Sequence, residues 1–206
     1  VAGCVAFGMS IASGSQSRAL GYKTTASGES STAMGELTEA TGSLSTAMGY
    51  DTNATGDWST AIGNRTNASG SNSTAMGKNT TASGNYSTAM GYNTEAQLSS
   101  AVAMGFYTKG SGKSSTAMGS RTTASDFGSL VIGQYNLSGA TVTDSANSFS
   151  TANTAFVIGN GTGTGDDASD GFKVLFNGDT TVGNDLTVNG DVVISSDSKL
   201  KANIIS

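Results

Sequence analysis

Small, apolar and polar residues alternate along this chain in short runs, and nowhere do apolar positions recur at the three-to-four spacing of an amphipathic helix. The run Ser31-Thr32-Ala33-Met34-Gly35 sets the pattern and returns with little change, its glycine falling at Gly21, Gly35, Gly49, Gly63, Gly77, Gly91, Gly105, Gly119 and Gly133, always 14 residues apart. Halfway through each unit a second run, Thr-x-Ala-x-Gly, places Ala26, Ala40, Ala54, Ala68, Ala82, Ala96 and Ala124 two residues after a threonine. Gly8 and Gly14 belong to an earlier unit that is one residue short.

Side chains on a strand alternate with period two, so a 14-residue unit with two half-motifs predicts two strands of about five residues joined by turns of about two. A helix is excluded, because two glycines per unit would each cost it roughly 1 kcal/mol. Units stacked about 4.7 to 4.8 Å apart would align like residues in columns, and about nine turns would make a rod of roughly 40 Å. The expected fold is all-β: a parallel β-roll solenoid over residues 1–136.

Two strands per turn leave a narrow lumen, which predicts that the small faces point inward: Ser31, Ala33 and Gly35 from one strand, Thr24, Ala26 and Gly28 from the other. Leu20, Met34, Met48, Ile62, Met76, Met90, Met104, Met118 and Ile132 then form an apolar column on the outside. Soluble monomers rarely expose such a continuous patch. A cyclic oligomer whose axis runs along the rod would cover it.

The 206 residues include 29 glycines and no proline. Low charge and polar, glycine-rich composition would ordinarily predict disorder, but the strict period overrides that expectation. A net charge of −5 with scattered basic residues argues against a nucleic-acid partner. The single cysteine, Cys4, excludes an internal disulfide, and the absence of histidine excludes Ser-His-Asp and Cys-His catalysis. No apolar run is long enough to predict membrane insertion in this segment, and no metal or cofactor is expected.

Past the repeat, residues 137–171 read as an irregular connector with one apolar strand, Ala155–Gly159. The run Gly159–Asp167 is glycine-rich, yet no helix pattern follows to supply a phosphate-binding terminus. Asp166, Asp167 and Asp170 lack the spacing of a calcium loop. Residues 172–196 alternate short apolar strands with turns such as Asn177-Gly178-Asp179, as expected of a β-stem completed by three chains. Residues 197–206 form a last segment.

Tyr22, Tyr50, Tyr92 and Phe106 share the position after the first glycine, and Trp58 and Tyr86 share the position before the serine. Aromatic rings on an edge suit glycan or protein binding, since flat rings lose little entropy when covered; covering turn backbone is the competing role. Glu29, Glu36, Glu39, Asp51, Asp57 and Glu95 are scattered rather than paired as a glycosidase requires. The column Thr25, Glu39, Asn53, Asn67, Thr81, Glu95, Lys109 and Thr123 carries charges that interrupt any flat ice-binding array.

Residues 1–136, with Ser-Thr-Ala-Met-Gly followed by Thr-x-Ala-x-Gly, resemble the head repeat of trimeric autotransporter adhesins. The resemblance implies a left-handed parallel β-roll, a homotrimer of identical chains and an adhesive surface. The repeat departs from pattern at Leu98, Ala101, Gly110 and Asp126. Ser195-Ser196-Asp197-Ser198-Lys199-Leu200-Lys201-Ala202-Asn203-Ile204 resembles the opening of the endosialidase-type intramolecular chaperone that follows phage tail fibres. That family is cleaved near its Ser-Asp step, here Ser196-Asp197. Together the two resemblances imply a trimeric phage tail fibre on the virion surface that binds a bacterial surface glycan or protein. A bacterial surface adhesin is the alternative, and a polysaccharide depolymerase or an ice-binding protein stands further back.

Overall fold

The computed structural model of the protein describes residues 3–187. Two strands open the fold, β1 (Val5–Ala12) and β2 (Arg18–Ala26), each bending through a full half-turn of the solenoid. From there a long strand alternates with a short one: β3 (Thr32–Glu36), β4 (Glu39–Ala40), β5 (Thr46–Tyr50), β6 (Asn53–Ala54), β7 (Thr60–Asn64) and β8 (Asn67–Ala68). The alternation continues through β9 (Thr74–Lys78), β10 (Thr81–Ala82), β11 (Thr88–Tyr92), β12 (Glu95–Ala96), β13 (Val102–Phe106) and β14 (Lys109–Gly110). It closes with β15 (Thr116–Ser120), β16 (Thr123–Ala124) and β17 (Leu130–Gln134).

Each long strand pairs in parallel with the long strand 14 residues on, placing Met76 opposite Met90 and Gly77 opposite Gly91. The short strands form a second parallel ladder in which Ala82 stands opposite Ala68 and Ala96. The short first unit is absorbed by a bulge: Met9 pairs with Tyr22, but Ser10 pairs with Thr24, which skips Lys23. This is the expected parallel β-solenoid, with no α-helix among the described residues.

The second strand is shorter than expected, two residues instead of five, and the corners explain it. From Gln16 to Arg121 every seventh residue is a non-glycine residue in the left-handed region, two to a turn, such as Leu37 (φ 56°) and Leu44 (φ 55°). A left-handed residue reverses the chain within one position, so the corners consume backbone that the pattern had assigned to strand. Such residues cost about 1 kcal/mol each outside glycine and asparagine.

In the regular turns the lumen holds only small side chains, and Val131, Val157 and Asp126 enter it only at the last rungs. Ala33, Ala40, Ala47 and Ala54 are fully buried, as are Ser31, Thr38 and Thr52. Ser31 donates its hydroxyl to the Gly28 carbonyl at 2.7 Å, and Ser115 and Ser129 repeat that bond three residues back. The inward placement of Gly35 is corrected: the first-motif glycines are exposed or half-exposed, with φ between 125° and 140° from Gly21 to Gly119. A Cβ on any of them would strike the carbonyl of the next glycine in the column, so these positions point along the rod. Close backbone approach fixes glycine there, not the lumen.

The ladder also outruns residue 136, where the 14-residue period stops. Strand β18 (Thr154–Asn160) pairs in parallel with β17, Ile132 opposite Ile158 and Gly133 opposite Gly159, so Ala155–Gly159 is the next rung of the roll reached through an insertion. Asp126 is what admits that insertion. Fully buried, its carboxylate accepts the backbone N–H of Thr143 at 2.6 Å and of Thr154 at 2.7 Å. Asn136 caps the short-strand ladder, its side-chain amide accepting from Thr123 N–H at 2.8 Å and donating to the Thr123 carbonyl at 2.9 Å.

A three-residue 3-10 turn (Gly165–Asp167) follows, then β19 (Asp170–Leu175) and β20 (Thr180–Val182). Both run antiparallel, β19 on β18 and β20 on β19. Within one chain, then, the segment expected to be a separate stem begins as a hairpin laid on the last rung. Its remaining expected strand, Val192–Ile194, and the chaperone-like run with Ser196 and Asp197 lie outside the described residues.

Candidate binding surface

Stacking at about 4.8 Å per turn forces side chains in one column into contact along the rod. The outward column Leu20, Met34, Met48, Ile62, Met76, Met90, Met104, Met118 and Ile132 is continuous and half-exposed, with Met90 at 38%. Phe7, paired with Leu20, extends it at one end, and Ile158, paired with Ile132, extends it at the other. Phe7 is 75% exposed. These side chains follow one another along the rod, and none of the described residues covers their outer side.

The aromatic candidates separate onto two edges. Trp58 and Tyr86 occupy one line of left-handed corners (φ 56° and 60°), 57% and 66% exposed. They sit two rungs apart with Asn72 between them. Tyr22, Tyr50, Tyr92 and Phe106 lie on the opposite edge, at or near the ends of the long strands. Tyr22 has the Lys23 ammonium 5.3 Å from its ring centroid, and Tyr50 stands opposite Glu36 and Asn64. Tyr92 and Phe106 stack at 5.3 Å with planes 15° apart.

The structure adds three residues to that second edge. Tyr107, Arg121 and Tyr135 occupy consecutive left-handed corners (φ 55°, 53° and 43°), so the guanidinium of Arg121 lies between two rings, 4.9 Å from the Tyr107 centroid and 5.4 Å from that of Tyr135. It is also 5.3 Å from Phe106. Arg121 donates to the Tyr135 hydroxyl at 2.8 Å. Lys78 stands 5.7 Å from the Tyr92 centroid at the other end of the strip. The 14-residue spacing of Tyr107, Arg121 and Tyr135 was present in the sequence, one position beyond the column of Tyr92 and Phe106.

At the Tyr135 end the strip opens into a groove of about 330 Å³ between the last turns and the glycine-rich run, lined in part by Thr123, Leu137, Ala140 and Thr164. The acidic candidates form no comparable site. Asp51 pairs with Arg65 at 3.7 Å and Glu95 with Lys109 at 3.6 Å, both exposed, while Asp57 accepts the Ser43 N–H at 2.9 Å. Asp170 accepts the N–H groups of Leu137 and Ser138. No group of three potential metal ligands occurs among the described residues.

The sequence matches the YadA head domain repeat, described as two copies per match, over residues 10–35, 40–66, 68–94, 86–108 and 111–136. The chain belongs to this family. No curated protein matches it. The YadA-type repeats cover the regular part of the solenoid, and the matches end where Asp126 and Asn136 admit the insertion. An adhesin-like head on an extracellular surface is what this family indicates. No helix among the described residues is long and apolar enough to cross a membrane.

Proposed function

We propose that this YadA-type head is the attachment segment of a homotrimeric extracellular fibre, binding a bacterial surface glycan or protein non-covalently and without catalysis. The observation that carries the trimer is the apolar column from Phe7 to Ile158, aligned with the rod and left uncovered by the described residues of one chain. Three copies around a common axis bury it on every rung, and YadA-type heads are trimeric. Three identical chains also present each edge three times, so weak single contacts gain from effective concentration.

The absence of histidine from the sequence and the separate pairing of Asp51, Glu95 and Asp57 support attachment over hydrolysis. Incubating the purified protein with bacterial cells and with their surface polysaccharide tests this. Retention on cells with no new reducing ends is expected; release of oligosaccharides overturns it. A phage tail fibre, as opposed to a cell-surface adhesin, is favoured by the chaperone-like run Ser195–Ile204. Sequencing the gene beyond Ser206 separates them, through a following chaperone domain or a coiled coil with an outer-membrane anchor.

A further inference from the structure

We infer that the edge carrying Tyr107, Arg121 and Tyr135 is a subsite for a carboxylated polysaccharide, with an acidic sugar at the mouth of the adjoining groove. The inference rests on the attachment function proposed above and names the ligand class. Arg121 decides the chemistry. Its guanidinium lies between the Tyr107 and Tyr135 rings of the neighbouring turns and is exposed, so its N–H donors are open to a ligand. One of them is used, on the Tyr135 hydroxyl.

No carboxylate lies within ion-pair distance of Arg121 among the described residues, although Arg65 and Lys109 each have one. A planar fork of free donors is matched by a carboxylate, and a prepaid orientation loses less entropy when it binds. Of the nearby acids, Asp170 is engaged by two backbone N–H groups, and Asp167 lies against Gly163 on the far wall of the groove without pairing to Arg121.

The groove beyond Arg121 suits a sugar ring. Its lining mixes hydroxyls (Thr123, Thr164) with apolar surface (Leu137, Ala140), and about 330 Å³ lies at the lower end of small-ligand sites. Lys78 stands three rungs away on the same edge, roughly 14 Å along the rod. The ligand is therefore a polymer with repeated negative charges, held at Arg121 and trailing past Phe106 and Tyr92 toward Lys78. Neutral glycans lack the group that the fork requires.

The test is binding of the purified protein to immobilised polygalacturonate, alginate and hyaluronan, each beside its methyl ester. At least one acidic polymer is expected to bind, to weaken as salt is raised and to lose affinity on esterification. Arg121→Gln should weaken binding at least roughly tenfold, and Arg121→Lys should fall between, because charge remains but the fork is lost. Lys113→Gln, an equal charge loss outside this edge, should bind as wild type. Circular dichroism confirms that each variant is folded.

Equal binding of ester and acid, or wild-type binding by Arg121→Gln, overturns the assignment. So does retention on bacterial cells with no binding to any acidic polymer, an outcome that leaves the attachment function standing. Failure to bind either cells or polymers removes both.

Discussion

Gly77→Ala should damage this solenoid far more than one methyl group suggests. Gly77 has φ 127°, a conformation that a side chain adopts at a cost of about 1–3 kcal/mol. The added Cβ would point at the next rung, 2.9 Å from the Gly91 carbonyl carbon and closer still to its oxygen. Ordinary contact requires β9 and β11 to part by roughly 1 Å, against a spacing of about 4.8 Å. That opens the ladder from Thr74–Thr88 to Lys78–Tyr92, whose hydrogen bonds contribute about 1 kcal/mol each. Conformational cost and overpacking together amount to about 2–6 kcal/mol. For a chain of this size the melting temperature should fall on the order of 5–20 °C. Thermal melts by circular dichroism check it, with Lys78→Ala on the same strand as a control expected within a few degrees of wild type. A Gly77→Ala protein melting within two or three degrees of wild type (~1 kcal/mol or less) would refute the claim that glycine is fixed here by contact between rungs.

Three further outcomes follow from named contacts. Asp126→Gly restores the usual residue of the repeat, yet it should destabilise by about 2 kcal/mol or more, because two backbone N–H groups lose their acceptor; limited proteolysis should show faster cutting between residues 137 and 153. Leu44→Asn should stabilise by about 1 kcal/mol, read as a melting point raised by a few degrees, since Leu44 is exposed at φ 55° and asparagine tolerates that conformation. Met76→Asp with Met90→Asp should abolish assembly by placing unpaired charges in the column that the proposed trimer buries, seen as loss of the large species in size-exclusion chromatography.

Much of the fold was legible because the lumen of the regular turns admits only small residues, and Ala33, Ala40, Ser31 and Thr38 therefore had to recur at fixed intervals. Period-two reasoning misplaced Gly35, since it assumes extended backbone with a side chain on one face or the other. At φ 127° that alternation does not hold. It also overestimated the second strand, because left-handed corners such as Leu37 and Leu44 leave no signature in residue type. The rung at β18 was hidden by the insertion, although Val157-Ile158-Gly159 repeats Val131-Ile132-Gly133. Asp126 read as a flaw in the repeat, whereas its buried carboxylate is the joint that lets the repeat be interrupted.

On the candidate site, the column of Tyr92 and Phe106 was visible from register alone. Arg121 was not, because a cation between two rings is defined by neighbours in adjacent turns and not by its own surroundings in sequence. Tyr107 and Tyr135 became meaningful only when the corner positions were placed above one another.

The central claim is that the column from Phe7 to Ile158 lies on a three-fold axis, and the mass of the particle in solution tests it most directly. Sedimentation equilibrium at micromolar concentration should give about three times the 20.4 kDa chain mass, with no dissociation on dilution. A stable, folded species at the mass of one chain would contradict the account.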